Sequence, residues 1–200
     1  MGLVHGVNIV RDGLVFYADA ANPRSYPGSG TTCTDLMNNL TGSFINSPSF
    51  SQTSGSGMFV FDGASARAVS WDSNISLTPY CISVWIYNDD DITTSTIDGP
   101  YQEIFGFDTY PGGFSLGSWT SRVVNETICF WVGANTEGMT YIRDTVSAGY
   151  HNIVVNWNSG ESKYDFYIDG VEKTTYPDLQ YGNAPLTAKS NISLDLGRDV

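Results

Sequence analysis

Three consecutive carboxylates, Asp89, Asp90 and Asp91, are the residues whose type and spacing most suggest metal chemistry. Calcium takes oxygen ligands, so this run is a candidate calcium site. It lacks the spacing of an EF-hand loop, and consecutive side chains at a strand end point in different directions, so not all three can meet one ion. The sequence therefore favours a solvated loop and no cofactor, with calcium as the alternative.

Catalytic chemistry is not indicated by the remaining ionisable residues. A Ser-His-Asp site would require His5 or His151 as its base, and no nucleophile-elbow motif accompanies either histidine. Hydrolysis of glycosides needs two facing carboxylates, whereas the glutamates outside the acidic run are scattered. They are Glu103, Glu126, Glu137, Glu161 and Glu172. We therefore expect a protein that is not an enzyme.

Aromatic residues in predicted loops suggest binding chemistry instead, because exposed rings can stack on sugar rings. The alternative is that these rings pack the loops onto the core. The candidate glycan-binding residues are Tyr26, Tyr101, Tyr110, Trp119, Tyr176 and Tyr181.

Charge and cysteine content narrow the possible partners. The 200 residues carry a net charge of −12 and only nine Lys and Arg. Nucleic-acid binding needs a basic surface, and anionic membranes attract basic segments, so we expect neither partner. Cys33, Cys81 and Cys129 are odd in number, without close pairs or metal spacing. We interpret Cys81 and Cys129 as buried free thiols in strands.

Residues 149–170 give the clearest prediction of secondary structure in the chain, two strands joined by a turn. Ile153, Val155 and Trp157 alternate with Val154 and two asparagines, a period-two pattern that predicts a strand. A turn-forming segment follows at 158–162. A second strand then runs to Asp169-Gly170, a dipeptide that strongly favours a further hairpin turn.

Similar short strands recur along the chain without helical periodicity between them, which predicts an all-β fold, an antiparallel β-sandwich. Leu14–Ala18 is predicted as the first core strand. The strand at 81–87 leaves two alternatives, because either Ile82 and Val84 or Cys81 and Trp85 face the core. The other predicted core residues are Leu14, Phe16, Phe59, Phe61, Ile153, Val155, Trp157, Phe166 and Ile168.

Several segments resemble the laminin-G-like, concanavalin-A-like lectin/glucanase family. Residues Tyr150–Asn158 with Phe166–Gly170 resemble that family's "WHHVAVTWDG…FYVDG" hairpin, and Leu196–Asp199 resembles its "IGRD". Phe59–Gly63 also matches, and the opening segment Gly13–Pro23 resembles a subgroup found in structural proteins of tailed bacteriophages. The resemblance implies a jelly-roll sandwich over residues 13–200, preceded by a lead-in at 1–12. The "ExDxxE" strand motif of the family's glucanases has no match here.

The resemblance implies a non-enzymatic virion structural protein, such as a capsid decoration, fibre or tail component, made in the host cytoplasm. The alternative is a carbohydrate-binding module for cell-surface glycans. Because relatives continue with a further strand beside the first one, the edge near Leu14–Ala18 is expected to be open. The alternative is that residues 1–12 cover this edge themselves. We therefore expect partners among other virion proteins, through an oligomer or a sheet-edge assembly, and possibly a glycan.

Overall fold

The computed structural model describes residues 10–52, 57–61, 68–77, 81–88, 102–107, 114–121, 124–134, 138–144, 146–161, 163–173 and 189–199. These residues contain no helix, and therefore none that could cross a membrane. They form the strands β1 Thr32–Thr34, β2 Thr41–Ile45, β3 Ser49–Ser51, β4 Met58–Val60, β5 Ala68–Leu77, β6 Cys81–Asn88, β7 Gln102–Phe107, β8 Phe114–Ser121, β9 Val124–Ala134, β10 Gly138–Asp144, β11 Gly149–Asn158, β12 Lys163–Ile168, β13 Val171–Lys173 and β14 Lys189–Asp199.

Two sheets and a small ribbon contain all of these strands. The larger sheet has eight strands in the order β1-β2-β5-β14-β7-β8-β9-β10, and the smaller has four in the order β13-β12-β11-β6. The ribbon pairs β3 with β4. Every pairing between these strands is antiparallel. Strand β14 lies in the interior of the larger sheet, between β5 and β7.

A shared core joins the two sheets into a sandwich. Val69 and Trp71 of β5, in the larger sheet, are completely buried, and they belong to one hydrophobic cluster with residues of the smaller sheet. The smaller sheet contributes Ile153, Val155, Phe166 and Ile168. An apolar face on each sheet buried against the other is the arrangement that stabilises a β-sandwich. The predicted all-β fold, an antiparallel β-sandwich, is confirmed.

The central hairpin forms from the two predicted strands, β11 and β12. Ile153 lies opposite Ile168, and Val155 lies opposite Phe166. The chain turns again at Asp169 and Gly170, whose φ angles are 52° and 75°. Positive φ at both central residues is the type I′ geometry that matches the twist of paired strands, and Asp-Gly adopts it readily.

The predicted strand at Leu14–Ala18 is wrong, because this segment enters neither sheet. Its backbone is bound instead by the turn that follows β1. The Tyr17 N–H donates to Asp35 Oδ1 at 2.8 Å, and the Leu36 N–H donates to the Tyr17 carbonyl at 2.7 Å. The Phe16 ring still meets Trp71 edge-on at 5.1 Å. The expected open sheet edge is therefore not located here.

Strand β6 resolves its two alternatives in favour of the aliphatic face. Ile82, Val84 and Ile86 pack against the core cluster, whereas Trp85 is 71% exposed. Cys81 lies on the exposed face as well, so the prediction that it is buried is wrong. Cys33 is buried beside Ser25, and burial raises the pKa of its thiol. The side chain of Cys129 lies outside the described set.

Candidate functional site

The outer face of the four-stranded sheet carries three large exposed aromatic side chains. Trp85 and Tyr87 are neighbours on the outer face of β6, and Tyr150 is on β11. Their exposed fractions are 71%, 51% and 50%. Isolated exposed aromatics are common, but adjacent ones on one face indicate a binding surface. We call these three residues the aromatic platform.

The register of β6 and β11 holds the platform together. Tyr150 lies directly opposite Tyr87, and their ring centroids are 4.8 Å apart with an interplanar angle of 57°. Trp85 lies two residues before Tyr87 on the same face, about 7 Å along the strand. Cross-strand aromatic pairs stabilise a sheet, so Tyr87 and Tyr150 support each other while about half of each residue's surface remains exposed.

Asn152 places a polar group beside the indole, because it lies opposite Trp85 in the register. Its Nδ2 donates to the Ser83 hydroxyl at 3.2 Å and to the Val84 carbonyl at 3.3 Å. A carbonyl only accepts hydrogen bonds, so this contact fixes which end of the amide is nitrogen. Among the described residues none donates to Oδ1, which leaves the platform with an amide acceptor next to its largest ring.

A Ser-His-Asp constellation lies at the start of β11, where strand alternation places His151 on the opposite face of the sheet from Tyr150. His151 Nδ1 is 2.7 Å from Asp169 Oδ2, and Nε2 is 3.4 Å from the Ser147 hydroxyl. Nε2 is closer to the Ser147 carbonyl, at 2.9 Å. The ring is thus directed at the Ser147 backbone carbonyl rather than at the Ser147 hydroxyl, so it is not placed as a base for that serine, and the geometry is that of a structural clamp.

The carboxylates near the platform are held as hydrogen-bond acceptors. Asp169 accepts from the Asn152 N–H at 2.9 Å and faces His151, and these two contacts lower the pKa of its carboxyl. Asp165 is buried and accepts from Asn158 Nδ2 at 3.2 Å, with Lys163 Nζ 3.5 Å away. Asp169 is therefore poorly suited to donate a proton, since a glycosidase acid needs a raised pKa.

Two of the predicted glycan-binding residues fall within described strands or loops. Tyr26 is only 4% exposed, stacked on Phe44 and surrounded by Phe50 and Phe59, so it follows the packing alternative. Trp119 lies in β8 rather than in a loop, and its side chain is not among those described. The other candidates lie outside the described residues. They are Tyr101, Tyr110, Tyr176 and Tyr181.

The calcium candidates Asp89, Asp90 and Asp91 also lie outside the described residues, immediately after β6. Within the part of the chain that is described, no group of three or more His, Cys, Asp or Glu could hold a metal ion. Calcium binding at Asp89–Asp91 and its alternative, a solvated loop, therefore both stay predictions.

The platform residues themselves were not predicted as site residues, although the sequence contains a usable signal. Cys81, Ser83, Trp85 and Tyr87 alternate with Ile82, Val84 and Ile86, so the two faces of β6 are distinct. The aliphatic set is β-branched and polar-free, which favours the core. Assigning that set inward leaves Trp85 and Tyr87 outside, and the pairing with β11 then adds Tyr150.

No protein-family model and no curated protein sequence matches this chain. Among solved structures, the chain is similar to the β-glucanase of Bacillus licheniformis, with 11% identity, 92% of this chain and 86% of that chain covered, and a TM-score of 0.43. It is also similar to SCLam, a non-specific endo-β-1,3(4)-glucanase, with 8% identity, 92% and 74% coverage and a TM-score of 0.43. A pseudo β-1,3-glucanase of Mycobacterium tuberculosis gives 15% identity, 85% and 68% coverage and a TM-score of 0.37.

These comparisons correct the predicted function. The similar structures are β-glucanases, so the prediction of a phage virion structural protein is wrong, and the resemblance to a phage subgroup has no support. The broader resemblance, to the lectin/glucanase superfamily, is consistent with the sandwich, whose assignment rests on the two sheets and the core described above. At these identities and TM-scores the likeness does not extend to activity.

Proposed function

We propose that this protein is a carbohydrate-binding domain and that the aromatic platform is its glycan site. The observation that carries the proposal is the adjacency of Trp85, Tyr87 and Tyr150, each about half exposed or more, on one face of a rigid sheet. Flat rings presented side by side match the apolar faces of pyranose rings, and the tyrosine hydroxyls can bind sugar hydroxyls. Strands hold such a surface in place before the ligand arrives, which reduces the entropy lost on binding.

The polar groups around the platform favour a neutral glycan. Asn152 Oδ1 is a hydrogen-bond acceptor beside Trp85, and Ser83, already accepting from Asn152, retains its own O–H as a donor. Lys163, farther along this face on β12, is paired with Glu161 at 2.7 Å. Together with a net charge of −12, this surface would repel uronic acids and sulfated sugars.

Binding without hydrolysis fits the described carboxylates better than catalysis does. Asp165 and Asp169 accept hydrogen bonds from Asn158 and from the Asn152 N–H, and Asp169 has a lowered pKa. A glycosidase pairs a protonated acid with an ionised partner across the scissile bond. The lowered pKa of Asp169 makes that residue unsuited to the role of the acid.

The test is glycan binding by the full chain and by two alanine variants, Trp85→Ala and Tyr150→Ala. A glycan array selects the ligand, and calorimetry with a neutral β-glucan and an anionic polysaccharide then measures affinity. Losing one stacked ring should cost about 1–2 kcal/mol, a reduction of about five- to thirtyfold. Val171→Ala is the matched control, because Val171 is 60% exposed on the opposite edge strand of the same sheet.

Thermal unfolding of each variant separates lost binding from lost folding. Since the mutated side chains are largely exposed, each melting temperature should stay within a few degrees of the parent. If the parent chain bound no glycan on the array, or if Trp85→Ala bound as tightly as the parent, the proposal would fail.

A further inference from the structure

The three rings of the aromatic platform form two separate stacking positions. The rings of Tyr87 and Tyr150 are inclined by 57° with their centroids 4.8 Å apart, so they cannot both lie flat against one sugar, and the pair offers a single position. The Cα atom of Trp85 lies about 7 Å from that of Tyr87 along β6, and Trp85 is a diagonal neighbour of Tyr150, at about 7–8 Å. A sugar stacked on the tyrosine pair therefore leaves Trp85, which is 71% exposed, free for a second sugar.

Strand β6 keeps these two positions on one face and in one line. Its register with β11 continues from Cys81 to Asn88 without a bulge, and bulges are what bend a strand locally. Trp85 and Tyr87 are two residues apart, so their side chains leave the same face of the sheet. The distance between them is comparable to the length that one sugar and its linkage occupy in an extended glycan. The spacing therefore matches two consecutive sugars of a chain parallel to β6.

Polar groups flank the indole on the sides away from the tyrosines. Asn152 lies opposite Trp85 on β11, and Ser83 lies two residues before Trp85 on the same face of β6. Asn152 Nδ2 donates to the Ser83 hydroxyl at 3.2 Å, so the two side chains hold each other beside the ring. Pyranoses carry their hydroxyls around the ring edge and C–H groups on the faces, so a sugar on Trp85 would meet both kinds of group. A chain laid across the strands would instead place its second sugar over Asn152, which has no ring.

We propose that the aromatic platform binds two consecutive sugars of a straight, neutral glycan that lies along β6, one on Trp85 and one on the tyrosine pair. A straight chain is required because consecutive sugars of a coiled chain turn out of a common plane, and only one of them could stack. Such a site depends on the proposed glycan binding and adds to it the length, the direction and the shape of the chain. The shortest glycan that uses the whole platform is a disaccharide.

The first test measures how affinity depends on the length of the glycan. Calorimetry of the full chain uses β-1,4-linked oligosaccharides of glucose, mannose and N-acetylglucosamine, from the monosaccharide to the hexasaccharide, as straight probes. The α-1,4-linked oligosaccharides of glucose are the coiled probes. In the straight series that binds tightest, affinity should rise about tenfold from the monosaccharide to the disaccharide, because a second ring is stacked. Longer members should gain only about fivefold more, from additional places to bind, and the coiled series should show no such step at the disaccharide.

The second test locates the two sugars with variants of the platform. In Trp85→Ala, and equally in the double variant Tyr87→Ala, Tyr150→Ala, the disaccharide should bind no more tightly than the monosaccharide, because one stacking position is left. Trp85→Phe keeps a ring at its position and should retain most of the gain at the disaccharide. Val171→Ala, on strand β13, is the matched control and should keep the length dependence of the parent. A chain across the strands would make the gain independent of both tyrosines.

Equal affinity for the monosaccharide and the disaccharide in every straight series would overturn the proposal. So would a coiled series with the same gain, or a double tyrosine variant that keeps the gain. If the parent bound another glycan on the array but none of the straight series, the straight chain would be excluded. The proposed glycan binding itself fails instead when the parent binds no glycan on the array, so the two failures are distinguishable.

Discussion

Gly42→Ala should destabilise the sandwich although alanine suits a strand better than glycine does. Gly42 lies in β2 against the indole of Trp71, and an added Cβ would sit 2.4 Å from Cε2 and 2.7 Å from Cδ2 and Nε1. Carbon atoms in contact lie about 3.5–4.0 Å apart, so the ring would have to move by about 1 Å. It has no room to do so, because Trp71 is completely buried and Phe16 meets it edge-on.

Overpacking of this kind costs about 1–3 kcal/mol, more than the roughly 0.5–1 kcal/mol that alanine gains over glycine in a strand. For a domain of this size the melting temperature falls by about 2–4 °C per kcal/mol, so the net expected decrease is several degrees. Calorimetry of Gly42→Ala beside Gly160→Ala measures it. Gly160 is the matched control because its Cβ would meet only Asn158 Oδ1, at 3.4 Å. Equal melting temperatures for the two variants would refute the packing argument.

Three further predictions concern ionisable groups. Asp35→Asn should lower the free energy of unfolding, measured in urea, by about 1–3 kcal/mol. The buried Asp35 carboxylate accepts from three backbone N–H groups, and the amide that replaces it would turn an N–H donor toward them. An unchanged free energy of unfolding would contradict this. Because its pKa is lowered by folding, the Asp169 carboxyl stabilises the fold at pH values above its unfolded pKa, and this contribution is lost as the pH falls through its folded pKa. In Asp169→Asn, the free energy of unfolding should therefore decrease less steeply as the pH is lowered. An equally steep decrease would contradict that reading. Burial, then the hydrogen bond to Asp19, raises the pKa of Tyr17 to about 12, so ultraviolet titration should show a late tyrosine that Asp19→Asn shifts to lower pH. If Asp19→Asn left the tyrosine titration curve unchanged, the late-titrating tyrosine would not be Tyr17.

The fold class could be predicted because its signals are local. Alternation in the 149–170 segment indicates which face of β11 and β12 is buried, and Asp169-Gly170 fixes the turn that sets the register of β12 and β13. The segment Leu14–Ala18 is a short run of apolar and aromatic residues that favours a strand, but it forms none, because its backbone bonds to Asp35 and to the turn after β1. That competition is between residues distant in sequence, which a local pattern does not contain.

The site was harder to predict because both faces of β6 carry large apolar side chains. Trp85 and Val84 both favour burial, so within β6 the main signal for the inner face is that the aliphatic set contains no polar residue, whereas the other set contains Ser83. The decision follows from the partner strand, where Ile153 and Val155 supply the inner face and Tyr150 and Asn152 the outer. The contact of His151 with Asp169 likewise exists only once the β12–β13 turn has closed.

The interior position of β14 has a consequence for how the chain is made. Leu196 pairs with Val69 on one side and with Phe105 on the other, so residues 189–199 connect parts of the eight-stranded sheet that are far apart in sequence. The hairpins of β7–β10 and of β11–β13 involve only neighbouring segments and can form while synthesis continues. The larger sheet cannot close until β14 leaves the ribosome. Until then the edges of β5 and β7 that face β14 lack their hydrogen-bonding partner, and unpaired edges of this kind favour association with other chains.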